Sequence, residues 1–260
     1  MHTKTTTHAG ELDTRSLRPF VGVALPVGWV LLSIPLVTDL PVEPFVLATL
    51  LFGLVTPALV LTRRDRRTSI RALLRDCWRT PRPLLVLPAL LVIPVITWAV
   101  AGPDGSDVDG GVVVGLAVNI VSSVLIVNLW EEMAWAGFVQ RRAALRWGAV
   151  GGAVATAAMF TGIHLPLAFY GAEDASDVLV NVGAMVVSGI GMRFLIAAFD
   201  HWGRGSILVL GVLHASFNAT GSFLHDEDDW VRYVVTLALG AAAVSIPSVR
   251  RGQVLQEVGR

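Results

Sequence analysis

The chain has 260 residues, of which 54% are hydrophobic and 15% charged; its formal net charge is +0 and its mean hydropathy is +0.66. A soluble domain carries about 25% charged residues, so this composition excludes an ordinary water-soluble globule and points to an integral, all-α membrane protein. The single cysteine, Cys77, excludes an internal disulfide and any multi-cysteine metal site.

Residues 1–18 are polar and Thr-rich, with Lys4, Arg15 and Arg18, and read as a cytoplasmic tail. Glu11, Asp13 and the lack of a small-residue cleavage site argue against a signal peptide. Eight apolar runs of roughly spanning length follow, at 20–38, 44–62, 84–101, 112–140, 147–170, 178–199, 205–224 and 230–248. They predict one polytopic bundle over residues 19–249, with 250–260 as a second cytoplasmic tail. Pro26, Pro35, Pro88 and Pro94 fall inside the first and third runs, where membrane helices tolerate proline.

The connections alternate in sign. Arginines crowd residues 63–82 and recur at Arg141, Arg142, Arg146, Arg204, Arg250 and Arg251. The other connections are acidic: Asp39 and Glu43; Asp104, Asp107 and Asp109; Glu173, Asp174 and Asp177; Asp226 to Asp229. Arginine in short loops stays on the cytoplasmic side, so the expected topology is multi-pass in a bacterial-type cell membrane with both termini inside. Between the second and third runs, Arg71, Arg75 and Arg79 recur every four residues among Leu73, Leu74 and Trp78. This predicts an amphipathic helix on the inner leaflet, drawn to anionic lipid.

Polar residues inside apolar runs are costly and mark function or pairing. The fourth run holds Asn128, Glu131, Glu132 and Trp135. On a regular helix Asn128, Glu131 and Trp135 share a face, with Glu132 about 100° away. The fifth run holds Phe160 and His164, and the seventh His214 and Asn218, each pair at i, i+4. Asn181 and Arg193 in the sixth run read as packing or snorkelling residues. A carboxylate and an imidazole sharing a water activate it as a general base, which fits Glu131 with His164. A second imidazole and an amide suit an oxyanion, which fits His214 with Asn218. Two histidines and a glutamate also suit zinc, but no H-E-x-x-H is present, so no metal or other cofactor is expected.

These three segments together resemble the CPBP family, the CAAX-protease and bacteriocin-processing (Abi) intramembrane glutamic endopeptidases. That family shows EExxxR, FxxxH and HxxxN on three helices of an eight-helix bundle. The matches here are Glu131-Glu132, Phe160 with His164, and His214 with Asn218, in order, over roughly residues 112–222. The resemblance implies hydrolysis of a peptide bond by activated water, with Glu131, His164, His214 and Asn218 catalytic. Glu132, Phe160, Trp135 and Asn128 would support them. The implied partners are a peptide or membrane-anchored protein substrate and the lipid bilayer, with no nucleic acid. One departure stands out: Ala136 replaces the motif arginine, so Glu132 is expected to be protonated or to take another partner such as Arg193. Two other readings stay open: a non-catalytic binding or immunity scaffold, favoured by Ala136, and a proton-coupled transporter.

Overall fold

The computed structural model of the chain describes residues 12–101, 110–221 and 229–249. The start of the N-terminal tail, the acidic connections at Asp104 to Asp109 and Asp226 to Asp228, and the tail from Arg250 lie outside the described residues. Every regular element among the described residues is helical. The helices are α1 (Thr14–Val37), α2 (Glu43–Arg64), α3 (Ile70–Cys77), α4 (Pro83–Ala101), α5 (110–147), α6 (149–164), α7 (Ala175–Trp202), α8 (Ile207–Thr220) and α9 (Asp229–Ser245). A short 3-10 turn, Leu165–Phe169, extends α6.

The described parts of all eight apolar runs are largely helical, and among the described residues five stretches are long and apolar enough to cross a membrane. One of these, Val114–Phe169, covers 56 residues and holds two of the expected runs. The two C-terminal helices, Ile207–Thr220 and Trp230–Ser245, are apolar but shorter.

The 56-residue stretch folds back at Gly148, whose φ of 73° and ψ of 172° lie in a region that side chains avoid. Helix α5 therefore runs past Arg141 to residue 147 and turns sharply into α6, which packs against it. Glu131 lies 17 residues before Gly148 and His164 lies 16 residues after it. Arms of matched length bring these two residues to one level. The continuation beyond residue 144 is what lets a glutamate near the end of one run meet a histidine near the end of the next.

Helix α5 is not uniform. Val124–Asn128 and Met133–Gln140 are wound as π-helix, and between them Leu129–Glu132 forms a single α turn. Wider turns of this kind are rare and concentrate at functional sites. Helix α8 crosses next to this turn because Gly211 lacks a side chain: a Cβ there would lie 3.2 Å from the Leu129 backbone.

Helix α3 begins at Ser69, whose hydroxyl accepts a hydrogen bond from the Ala72 N–H. Its apolar face is committed to the protein: Leu73 and Cys77 pack with Leu129, Met133 and Ile207. Arg71 and Arg75 point outward. Burial, with Asp76 beside it, pushes the Cys77 thiol up to about 12, so it behaves as a small core residue.

Arg141 and Arg142 belong to α5 and are paired. Arg141 donates to Asp76 (2.8 Å) and to both oxygens of Asp200 (2.8 and 3.3 Å), joining α3, α5 and α7. Arg142 donates to Asp65 at 3.0 Å and lies over the Phe138 ring. Asp65 also accepts the backbone N–H groups of Arg67 (2.9 Å) and Asp13 (3.2 Å). Burial alone would raise the Asp65 carboxyl; these two N–H groups and the Arg142 guanidinium outweigh it and hold the carboxyl below its usual range.

A carboxyl lowered in the folded state stabilises above its unfolded pKa, about 3.9, and loses that contribution as pH falls through the folded value. Asp65→Asn, which strands Arg142, should cost about 3–5 kcal/mol, and adding Arg142→Met should restore much of it. Thermal denaturation of purified protein in detergent at pH 7 checks both, and scans between pH 5 and pH 3 should show a steeper acid loss for wild type than for the double variant.

Candidate active site

The α turn at Leu129–Glu132 presents both glutamates to the interior, between α6, α7 and α8. Glu132 and Arg193 are both 0% exposed, and the guanidinium of Arg193 grips the carboxylate through two hydrogen bonds, 2.6 and 2.9 Å. His214 completes the set: its Nδ1 lies 2.7 Å from Glu132 Oε1 and, since a carboxylate only accepts, donates to it. Glu132 has thus taken Arg193 as its partner. The charge that the family motif carries on α5 comes here from α7. The Gln140 side chain in turn holds the Arg193 carbonyl at 2.9 Å, tying α7 back to α5.

Glu131 is less enclosed. Its Oε1 stands 3.9 Å from His164 Nε2, and its Oε2 stands 3.8 Å from His214 Nδ1. Asn128, fully buried, reaches Glu131 Oε2 at 3.5 Å, the outer limit of a hydrogen bond. The ring of His164 is fixed from behind: Nδ1 lies 2.8 Å from the Phe160 carbonyl, which can only accept, so Nδ1 carries the proton. In the neutral ring its Nε2 is then a lone pair facing Glu131.

Phe160 is the hub of the packing. Its ring centroid lies 4.5 Å from that of His164, 6.0 Å from that of His214 and 5.7 Å from that of Trp135, and the Arg193 guanidinium lies 5.0 Å above it. Trp135 passes this contact on to Phe20 of α1. One ring therefore sets the orientation of both imidazoles and of the buried arginine.

Side-chain exposure is graded across the site: 0% at Glu132 and Arg193, 6% at His214, 10% at Glu131 and 19% at His164. Asn218, one turn beyond His214 on α8, is exposed. The carboxylate–guanidinium pair is the closed end, and Glu131, His164 and Asn218 lie toward the open end. The structure brings Asn128, Glu131, Glu132, Trp135, Phe160, His164 and His214 into one cluster. Asn218 shares its helix but makes no side-chain hydrogen bond to a described residue. Among the described residues, no three His, Cys, Asp or Glu side chains are arranged to hold a metal ion.

Read from its own run, Arg193 is a packing or snorkelling residue; read from the missing motif arginine at Ala136, it is a candidate partner of Glu132, and that pairing is the one present. One further residue carried no signal in the sequence. Arg232 of α9 donates to the carbonyls of Phe217 (3.1 Å) and Asn218 (3.5 Å) and lies over the Phe217 ring. A cation at the end of α8 satisfies carbonyls that the helix leaves unpaired. It fixes the turn that carries Asn218.

Residues 113–220 match the model of a protein family described as Rce1-like type II CAAX prenyl endopeptidases. The match agrees with the resemblance of the three motifs and contains all of the clustered residues. A comparison with curated proteins finds no match. The matched family is one of CAAX-type proteases.

Ala136 is 2% exposed and packed among Ile93, Met192, Leu195, Ile196 and Leu213. No room exists there for the motif arginine, and Glu132 has no need of it. Ala136→Arg should therefore lower the melting temperature, by an overpacking cost of about 1–3 kcal/mol plus that of an unpaired cation. A differential scanning fluorimetry trace matching wild type would show that the site accommodates a second guanidinium.

Proposed function

We propose that the chain is an intramembrane endopeptidase in which Glu131 and His164 activate water and His214 with Asn218 stabilise the oxyanion. The observation that carries this reading is the pair of facing acceptors. The carboxylate of Glu131 and the Nε2 lone pair of His164 stand 3.9 Å apart, too far to bond each other. A water held between them donates one hydrogen to each, which raises the electron density on its oxygen. That oxygen adds to the carbonyl carbon of the scissile peptide bond, and Glu131 and His164 take up its proton. The carbonyl oxygen becomes an oxyanion met by donors from His214 and Asn218. The C–N bond then breaks, and the proton is returned to the departing nitrogen.

The charge inventory supports these roles. Glu131 and Glu132 bring two negative charges and Arg193 one positive. With its Nδ1 committed to Glu132, His214 has its Nε2 left to meet the oxyanion. Ala136 no longer favours a non-catalytic scaffold, because Arg193 supplies the counter-charge. The proposed substrates are peptides or membrane-anchored proteins, with a C-terminal or lipidated segment entering from the side of His164 and Asn218. The proposed topology has both termini in the cytoplasm, on the arginine-rich face.

Purified full-length protein in detergent should cleave members of a fluorogenic library of prenylated and unprenylated C-terminal peptides. Glu131→Gln and His164→Ala should reduce cleavage to background, and Asn218→Ala should reduce kcat by about 10²–10³-fold with the fold intact. Cleavage that survives in Glu131→Gln would sink the mechanism. Inactivation by a chelator, reversed by zinc, would replace it with metal chemistry. A wild type silent across the library would favour the binding scaffold.

A further inference from the structure

At the C-terminal end of α5, beyond the glutamates, two adjoining clefts of about 450 and 690 Å³ open on the arginine-rich face, sharing Leu12, Arg66 and Arg67. Their walls come from the N-terminal end of α1, the end of α2, α3 and the end of α5. Arginine dominates the lining. Arg141 and Arg142 at the floor are already committed to carboxylates. The exposed Arg15, Arg64, Arg66, Arg75 and Arg146 also line the clefts, and none of them forms an ion pair with a described carboxylate. Of the acidic lining residues, Asp65 and Asp76 are held by Arg142, Arg141 and Arg79, and Asp13 accepts the Arg15 N–H. The clefts thus carry a surplus of positive charge.

A second observation comes from the wall. Thr62 is 1% exposed and lines the first cleft, yet its hydroxyl has no hydrogen-bond partner among the described residues. A buried helical threonine ordinarily bonds the carbonyl one turn back, and leaving the hydroxyl unpaired costs free energy. This is a pre-placed donor at the base of a cationic cleft.

We propose that these clefts bind the phosphate of an anionic phospholipid headgroup. The surroundings select a lipid over a free anion. Arg64 lies one turn beyond Val60 on α2, and Val60, Phe52 and Leu51 are 43%, 56% and 49% exposed, a continuous track for acyl chains along the helix. Trp78, 59% exposed just after α3, stands within the arginine-rich segment, where an aromatic side chain favours a membrane–water interface. Arginine clusters at the end of a membrane helix recognise anionic headgroups. The headgroup phosphate accepts from the rim guanidiniums and from Thr62, and its acyl chains lie along α2. The occupant also ties α1, α2, α3 and α5 together at the end of the hairpin that carries Glu131. This site is independent of the protease reading.

The test is a titration of purified full-length protein in neutral detergent with short-chain phosphatidylglycerol, short-chain phosphatidylcholine and inorganic phosphate, read by intrinsic tryptophan fluorescence and lipid retention in native mass spectrometry. Phosphatidylglycerol should bind at least tenfold more tightly than phosphatidylcholine. Arg66→Gln with Arg75→Gln, and separately Thr62→Val, should each weaken it severalfold. Arg63→Gln, an exposed arginine outside both clefts, should not. Equal weakening by Arg63→Gln would reduce the effect to diffuse surface charge and overturn the site. Binding of inorganic phosphate with the same dependence on Arg66, Arg75 and Thr62, without a preference for the lipid, would overturn the lipid assignment. Correct folding of the Thr62→Val and Arg66→Gln/Arg75→Gln variants is checked by their melting temperatures in ligand-free detergent.

Discussion

Glu132 accepts two guanidinium hydrogen bonds from Arg193 and one from His214, all out of contact with solvent. Most of the site's geometry depends on this interaction. Moving a carboxylate and a guanidinium out of water carries an effective penalty of several kcal/mol per ion, offset only when the geometry is good and the remaining donors find acceptors. The bidentate contact meets the first condition; His214 satisfies a further lone pair of the carboxylate, while the Arg193 Nε–H has no acceptor among the described residues. The cost of leaving any member alone is what fixes α5, α7 and α8 in register. Glu132 thereby acts as an anchor, and its neighbour Glu131, on the same turn, is held at the edge of the enclosed region with 10% of its side chain exposed. Adjacent residues of one type do different work because one faces a guanidinium and the other faces an opening.

The hairpin supplies the other constraint. Two α-helices joined at a glycine have no intrinsic reason to align a carboxylate with an imidazole. The alignment follows from 17 residues on one arm and 16 on the other, measured from Gly148. The π turns on either side of Leu129–Glu132 shift the phase of α5, so faces drawn from an ideal helix do not apply through this region. That is why Ala136, four residues after Glu132, points into the apolar layer between α4, α7 and α8 rather than toward the carboxylate.

The sequence made some of this readable and left some hidden. Helix positions follow from apolar run length, and the described parts of these runs are largely helical, because a chain in lipid has to satisfy its backbone locally. The pairing of Phe160 with His164 also follows from i, i+4 spacing. What spacing could not show is which charges meet across helices. Asp65 and Asp76 sit inside an arginine-rich connection, where their small number makes them look incidental, yet they hold Arg142 and Arg141. Arg193 stands in the apolar helix α7; Ala136 in place of the motif arginine names it as one candidate partner of Glu132, and the approach of α7 to α5 selects that pairing over a protonated carboxyl. The amphipathic pattern at 70–77 correctly marked a helix, but amphipathicity does not say whether protein or lipid covers the apolar face. Here Leu73 and Cys77 face Met133 and Ile207.

The two charged layers on α5 differ in a way that bears on function. Near Arg141 and Arg142, each cation is matched by carboxylates from neighbouring elements, and the result is a rigid clamp at one end of the hairpin. Near Glu131, one carboxylate, Glu132, is saturated, while Glu131 is met only at 3.5 to 3.9 Å by Asn128, His164 and His214. A structure that can bring a guanidinium to within 2.6 Å of Glu132 has the precision to do the same for Glu131. The looser spacing leaves acceptors facing each other at a distance suited to a small hydrogen-bond donor between them. Phe160 holds both imidazoles from one side, so that spacing is maintained by packing and does not depend on the donor being there. The same sequence thus satisfies one glutamate completely and keeps the other poised, and the difference between them is the feature that reads as chemistry.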